Sequence, residues 1–322
     1  MIRPSAGSVL RIGVAAGLTL FVLWKSHPRQ VLEAASGARL APILAAVGLV
    51  VLDRALMAYR WLVLLRPLPA ARRPPFSEVM RVFFVSTFVG TFLPASVGGD
   101  AVRALGLARL DVPAADAVAS VFMDRVLGVL SILVMAVAGL WLVRPLAANP
   151  LVQLGLTVAA SACGMTALLV FSDGAAAMAR QCLAWLRIAR LQRVGQALLE
   201  AVQGYAHHHG ALGNVLAGSI GVQALRILQA YCLGRSLGIE SPLATYFAFI
   251  PLILLVMLLP VTVNGLGTSQ AAFVWFFGQA GVRAPEAFAL SVLFVALGVV
   301  GNLPGGFLYA WGGAAPSRNR EP

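Results

Sequence analysis

The sequence predicts an all-α polytopic membrane protein: six transmembrane helices plus two re-entrant broken-helix hairpins, arranged as an inverted-topology repeat. Three observations predict it. Of 322 residues, 60% are hydrophobic and only 11% charged, against about 45–50% and about 25% in a soluble domain. A chain so composed cannot cover its own surface in water. Apolar runs of the ~20 residues needed to cross a hydrocarbon core fill most of its length. Two further apolar segments are each interrupted by a stretch bearing proline and glycine, and the interruptions match one another at a fixed offset.

The first run, 7–24, has Arg3 and Arg11 near its start and Lys25-Ser26-His27-Pro28-Arg29 behind it. No small-residue cleavage site follows, so it reads as an uncleaved span rather than a signal peptide. Gly13 and Gly17 give it a GxxxG spacing suited to packing within the bundle. Further spans are expected at 42–65, 117–143, 150–171, 210–238 and 286–312. Residues 82–94 are apolar, Pro94-Ala95-Ser96-Val97-Gly98-Gly99 interrupts, and a short helix resumes over Asp100–Leu110. Residues 245–259 are apolar, Pro260-Val261-Thr262-Val263-Asn264-Gly265-Leu266-Gly267 interrupts, and 268–280 resumes. Half-helices of about 13 residues reach only ~20 Å, short of a ~30 Å core. Each pair is therefore expected to enter and leave on one side, with its broken tip buried in protein. The one long polar connection, 172–209, repeats Leu191, Val194, Leu198, Val202 and Tyr205 at helical spacing, with Arg190, Arg193, Gln196, Glu200 and Gln203 elsewhere around the helix. It reads as an amphipathic helix on the cytoplasmic surface.

The chain is thus a single membrane domain, 1–322, with a first repeat over 42–143, a linker over 172–209 and a second repeat over 210–312. With both termini cytoplasmic and both hairpins returning to their own side, 14 of the 24 Lys and Arg residues fall inside, 6 outside and 4 within spans, as the positive-inside rule requires. An offset of 166 aligns Pro94 with Pro260, Ser96 with Thr262, Val97 with Val263, Gly99 with Gly265 and Arg60 with Arg226. In this topology the spans 42–65 and 210–238 run in opposite directions, so the repeats are inverted. Inverted repeats with broken helices are a transporter signature.

The residues that are scarce exclude other chemistry. Lys25 is the only lysine and follows Trp24, so a Walker A loop is absent. His207, His208 and His209 are consecutive, point about 100° apart on a helix and suit a solvated edge better than a metal site. Cys163, Cys182 and Cys232 lack CxxC spacing and read as small apolar packing residues. No metal and no cofactor is expected. The net charge of +12 is read as topology and attraction to anionic lipid headgroups, with no nucleic-acid partner.

Charged residues inside the apolar segments mark the candidate site, because each costs about 2.5–3.5 kcal/mol at mid-span unless paired or solvated. Asp53, Arg54 and Arg60 lie in span 42–65, Asp124 and Arg125 in span 117–143, and Arg226 in span 210–238; Asp100 and Arg103 follow the first broken tip. Asp53 and Arg60 are seven residues apart, about 340° of turn, and share a face. Adjacent Asp124 and Arg125 point about 100° apart, so each is expected to pair with another helix. The arginine excess suggests an anion, since the guanidinium fork matches phosphate. Arg60, Arg103, Arg125 and Arg226 are the candidate headgroup ligands. Gly98, Gly99, Gly265, Gly267 and Asn264 line the tips, where helix N-termini offer free N–H groups. Asp53, Asp100 and Asp124 are the charge-balancing or proton-relay candidates. For any one of these residues, an interhelical ion pair that only fixes the bundle is an equal reading.

Three segments together resemble a known family: Phe92-Leu93-Pro94-Ala95-Ser96-Val97-Gly98-Gly99-Asp100-Ala101-Val102-Arg103, then Met123-Asp124-Arg125-Val126-Leu127-Gly128, then Pro260 to Gly267. They are similar to the flippase-like integral membrane family, also called the lysylphosphatidylglycerol synthase transmembrane region, and the resemblance covers nearly the whole chain. It implies a multi-pass protein of the bacterial inner membrane that moves polar lipids between leaflets. In the aminoacyl-lipid synthases the module precedes a soluble aminoacyl-transferase domain, which is not expected here. Where the family has Gly-Leu-Gly-x-x-Glu, this chain has Gly265-Leu266-Gly267-Thr268-Ser269-Gln270, which disfavours a cationic lipid. The expected function is therefore non-enzymatic: a lipid flippase or transporter for an anionic phospholipid or a polyprenyl-phosphate-linked lipid. A membrane-embedded aminoacyl or glycosyl transferase and a non-catalytic scaffold for envelope lipid synthesis are the alternatives. The expected partners are membrane lipid with an anionic headgroup, a second copy of the chain, or an envelope-biosynthesis enzyme.

Overall fold

The computed structural model describes residues 36–67, 73–92, 97–143, 148–185, 189–258 and 267–312, together with Arg29 and Glu33. The expected first span at 7–24, residues 94–96 of the first broken tip and residues 260–266 of the second, Asn264 and Gly265 among them, lie outside the described residues. Among the described residues all regular structure is helical. Five helices are long and apolar enough to cross a membrane: α1 (Leu40–Leu64), α4 (Ala114–Leu140), α5 (Pro150–Phe171), α8 (His209–Ser236) and α11 (Ala284–Gly312). They fall on five of the six expected spans. The shorter helices are α2 (Phe76–Phe92), α3 (Val97–Ala108), α6 (Asp173–Ala184), α7 (Ala189–Gln203), α9 (Leu243–Met257) and α10 (Thr268–Gly278). A 3₁₀ turn over Gly204–His207 joins α7 to α8.

Local sequence sets the helix ends. Asn149 accepts from the N–H groups of Leu151 and Val152, with Pro150 at the first helical position of α5, the residue pair favoured at an N-terminus. Ser172 accepts from Ala175 N–H and separates α5 from α6. Helix α10 ends at Gly281 (φ +79°), where Val282 N–H donates back to Phe277 O at 3.1 Å. Helix α3 ends the same way at Asp111 (φ +61°), where Val112 N–H donates to Leu107 O at 3.4 Å. This is the left-handed C-terminal cap, which glycine adopts freely and aspartate tolerates. Around the caps, Val112, Ala117 and Ala119 correspond to Val282, Ala287 and Ala289. The likeness between the halves thus continues past the tips, at an offset of 170 rather than 166.

The short helices fold back on their neighbours. A Cβ on Gly90 of α2 would stand 2.9 Å from the Cα of Gly99 of α3, and one on Gly106 would stand 2.7 Å from Cγ1 of Val82. These contacts run antiparallel, so α2 and α3 fold against one another as a hairpin pair. Helices α9 and α10 do likewise through ring contacts of Tyr246 with Phe277 and of Phe249 with Phe276. At 1.5 Å per residue, α9 with 15 residues reaches ~22 Å and α3 with 12 reaches ~18 Å.

Helices α1–α4 and α8–α11 therefore share one order: long, short, short, long. Their packing shares a pattern too. α1 lies along α8, α2 packs against α11, and α9 packs against α4; exchanging the two groups of helices leaves these pairings unchanged. Both crossings between groups are tight. A Cβ on Gly139 of α4 would meet Ala248 Cα of α9 at 2.7 Å, and one on Gly305 of α11 would meet the Phe84 carbonyl of α2 at 2.0 Å. The largest buried cluster joins Tyr246, Phe249, Phe273, Phe277 and Phe294 in the second group. Trp61, Phe83 and Leu107 centre a smaller one in the first.

The linker differs from the single amphipathic helix expected. It is two helices and a 3₁₀ turn, with α6 and α7 folded on one another: a Cβ on Gly195 would stand 2.6 Å from Cδ2 of Leu183. Its buried face begins late. Leu199, Val202 and Tyr205 are buried while Val194 is exposed, because only the end of α7 reaches α4 and the start of α8. There Tyr205 donates to Leu64 O at 2.9 Å, and burial, with Asp116 and Asp124 nearby, pushes its phenol well above the ordinary range. His207, His208 and His209 are exposed, as read. Of the cysteines, Cys163 is buried and Cys232 half-buried, but Cys182 is exposed on α6.

Candidate functional site

The charged residues within the apolar helices form three groups. In the first, Asp124 of α4 is held between two arginines. Arg60 of α1 donates through Nη2 to Asp124 Oδ1 at 2.8 Å and to the Asp124 carbonyl at 3.2 Å. Arg103 of α3 donates through Nη1 to Asp124 Oδ2 at 3.1 Å. All three are buried. The Arg103 guanidinium also lies 5.1 Å from the Trp61 ring centroid and 4.9 Å from that of Phe83, a desolvated cation–π setting. Arg60 passes Gly218 of α8, where a Cβ would stand 2.9 Å from Arg60 Cγ. The missing side chain leaves room for the arginine stem between the two long helices.

The second group lies one to two turns earlier on α1. Asp53, fully buried, pairs with Arg54 at 3.0 Å through Oδ2 and with Arg226 of α8 at 3.4 Å through Oδ1. Oδ1 accepts no hydrogen bond, so the Arg226 contact is ionic and loose. Arg54 Nη2 donates to Gly298 O of α11 at 3.3 Å. The sulfur of Met57 lies 3.2 Å from Arg54 Nη1 and 3.6 Å from Arg226 Nη2. In the third group Asp100, in the first turn of α3, takes a bidentate pair from Arg125 of α4, at 2.7 Å from Nε and 2.8 Å from Nη2. The Arg125 side chain is 48% exposed and that of Arg226 23%, against 4% for Arg60 and 6% for Arg103.

The sequence-predicted residues are thus distributed rather than gathered on one point. Asp53 and Arg60 share a helix, but each reaches a different neighbour. Asp124 and Arg125 diverge, as adjacent helical residues must. Arg54 stands out in the sequence as an intramembrane charge but has no assigned role there, and Trp61, Phe83 and Met57 are not among the candidates. Trp61 sits beside Arg60, and adjacency to an intramembrane charge is the signal available. Gly98 and Gly99 occupy the first turn of α3; a Cβ on Gly99 would stand 3.0 Å from Ser86 O, so this glycine serves the close hairpin. Gly267 (φ +85°) opens α10. There Gln270, in the place of the family glutamate, is buried and accepts from Gly267 N–H and from Ser269 Oγ. The neutral amide oxygen supplies the helix cap that a carboxylate would supply.

Five guanidiniums thus share three carboxylates, an excess of two positive charges in the apolar interior. Several buried polar atoms around them meet no protein partner: Arg54 Nε, Arg60 Nε, Arg103 Nε, Gln223 Oε1 and Gln229 Nε2. Such groups are costly in a dry interior and suit a site that admits a polar ligand. Among the described residues no cluster of His, Cys, Asp and Glu is placed to hold a metal ion.

The family model described as the lysylphosphatidylglycerol synthase TM region matches residues 8–305. No curated protein and no solved structure matches the chain. The match takes in four long helices, most of α11, both hairpins and the three charge groups, so the chain is a multi-pass membrane protein and belongs to the lysylphosphatidylglycerol synthase TM region family.

Proposed function

We propose that this protein is a lipid flippase or transporter that carries an anionic phospholipid or a polyprenyl-phosphate-linked lipid between the leaflets of the bacterial inner membrane. One observation carries the reading: the surplus of guanidiniums over carboxylates where α1, α3, α4 and α8 meet. A phosphate would balance it. Arg125 and Arg226, partly exposed, are the groups that meet the headgroup first. Arg60 and Arg103, held on Asp124, form the electrostatic floor. Asp53 and Asp100 hold Arg226 and Arg125 when no lipid is bound and release them to phosphate in exchange. The loose Asp53–Arg226 contact is the one that exchanges most readily. No covalent step is needed.

The same reading supplies the topology. Residues 7–24 and the five long helices make six crossings, and the α2–α3 and α9–α10 hairpins re-enter from opposite faces. The two groups of helices are inverted repeats, and both termini are cytoplasmic. The shared order of helices, the matched caps and the interchangeable packing support it. Rocking of one repeat against the other would expose the site to either leaflet while the acyl chains stay in lipid.

The test is headgroup translocation by the purified protein in liposomes, read as loss of a labelled phosphatidylglycerol from the protected leaflet. The wild-type protein should exceed empty liposomes. Arg226→Gln should slow transfer by ~10-fold or more, the scale of one charged hydrogen bond. Rates equal to those of empty liposomes across phosphatidylglycerol, cardiolipin and a polyprenyl phosphate would overturn the reading.

A further inference from the structure

A groove of about 680 Å³ opens between α2, α3 and the end of α11, away from the three charge groups. Its walls are apolar, with Val82, Val85 and Val102 on two sides and Leu105 and Leu308 at the rim. Glu78, Arg81, Arg109 and Tyr309 stand at one end. Gly106 packs on the Val82 side chain beneath them, bringing α2 and α3 close enough to make a floor.

The charges in this groove are under-partnered. Arg81 reaches Glu78 only at 4.0 Å, between side chains that are both exposed. Arg109 is exposed and makes no ion pair among the described residues. Two guanidiniums against one carboxylate leave one positive charge at the polar end of an apolar channel. Arg73, which donates to the Arg66 carbonyl, lies just before the start of α2, the same end of that helix as Glu78 and Arg81. The positive-inside rule makes this the cytoplasmic side, where anionic lipids accumulate and attract basic residues.

We propose that this groove is a binding site for one anionic phospholipid of the cytoplasmic leaflet. Its phosphodiester rests on Arg109 and Arg81, and one acyl chain lies along Val82, Val85 and Leu105. A phosphodiester carries the single negative charge that the groove lacks. The exposed side of α5, with Leu151, Leu154, Val158 and Leu168, is apolar and carries no arginine. The assignment does not depend on translocation, because binding is read separately from it.

The test uses the purified full chain in phosphatidylcholine vesicles doped with a photoactivatable phosphatidylglycerol, with adducts located by mass spectrometry. Adducts should concentrate on α2, α3 and the end of α11 around Val85, Leu105 and Leu308. They should fall by at least about fivefold there in the double variant Arg81→Gln/Arg109→Gln, two surface charges being removed. Leu105→Trp, which fills the groove and keeps both arginines, should lose the Val82 and Val85 adducts. Equal labelling by photoactivatable phosphatidylcholine or phosphatidylethanolamine, labelling spread evenly onto α5, or no change in either variant would each overturn the proposal. Any of these results can coexist with translocation, so failure here is distinguishable from failure of the transport reading.

Discussion

Asp124 is the residue on which the buried charges turn. It pairs with Arg60 and Arg103 at once, so replacing it leaves two desolvated guanidiniums with no carboxylate between them. Breaking a buried pair from one side costs about 3–5 kcal/mol. Asp124→Asn is therefore expected to lower the thermal unfolding temperature in detergent sharply. An unfolding curve within a degree or so of wild type would show that water already screens the group. Arg125 is the contrasting case. Its pair with Asp100 is half-exposed, and pairs of that kind contribute about 0–1 kcal/mol. Arg125→Gln should fold normally, and any loss of translocation it causes is a loss of lipid contact rather than of structure. A melting shift as large as that of Asp124→Asn would show that the pair is structural.

At the scale of the helix, close approach decides which glycines matter. Gly305 of α11 faces the Phe84 carbonyl of α2, with 2.0 Å left for a Cβ, whereas Gly48 of α1 has nothing within 4 Å. Gly305→Ala must push two backbones apart and is expected to unfold the protein or cost several kcal/mol, at the upper end for overpacking. Gly48→Ala removes only backbone freedom and should be neutral or stabilising by about 0.4–1 kcal/mol. Paired melting curves check both, and equal curves would remove the close crossing from the account. The same logic explains the hairpin of α2 and α3. Both helices are short, and Gly90 and Gly99 let them lie together, so they satisfy their contacts on one another and on α11 rather than by crossing alone.

At the scale of the whole molecule, the distribution of arginines supports the proposed orientation, which one native thiol can report. Cys182 is exposed on α6, while Cys163 is buried. With the linker cytoplasmic, a membrane-impermeant maleimide should leave intact cells unlabelled and should label Cys182 once the membrane is opened. Labelling of Cys182 in intact cells would reverse the topology and place the groove at Arg81 and Arg109 in the outer leaflet.

The sequence by itself determined the membrane class, five of the long helices and the two interrupted hairpins. These follow from composition and from apolar run lengths, which are local properties of the chain read against a bilayer of fixed thickness. It also singled out most of the charged residues of the site, because a charge within an apolar run is conspicuous without knowledge of its neighbours. It did not determine their partners. Arg60 and Asp53, seven residues apart, share a face of α1, yet Arg60 crosses to Asp124 on α4 while Asp53 turns to Arg226 on α8. The fold of the linker, the aromatic cradle of Arg103 and the recess between α2, α3 and α11 were equally out of reach. Each is a relation between separate helices, and close approach at glycines such as Gly106 and Gly195 sets part of it. Only the tertiary packing decides them, since a helix's own period states which face a residue occupies and not what stands opposite.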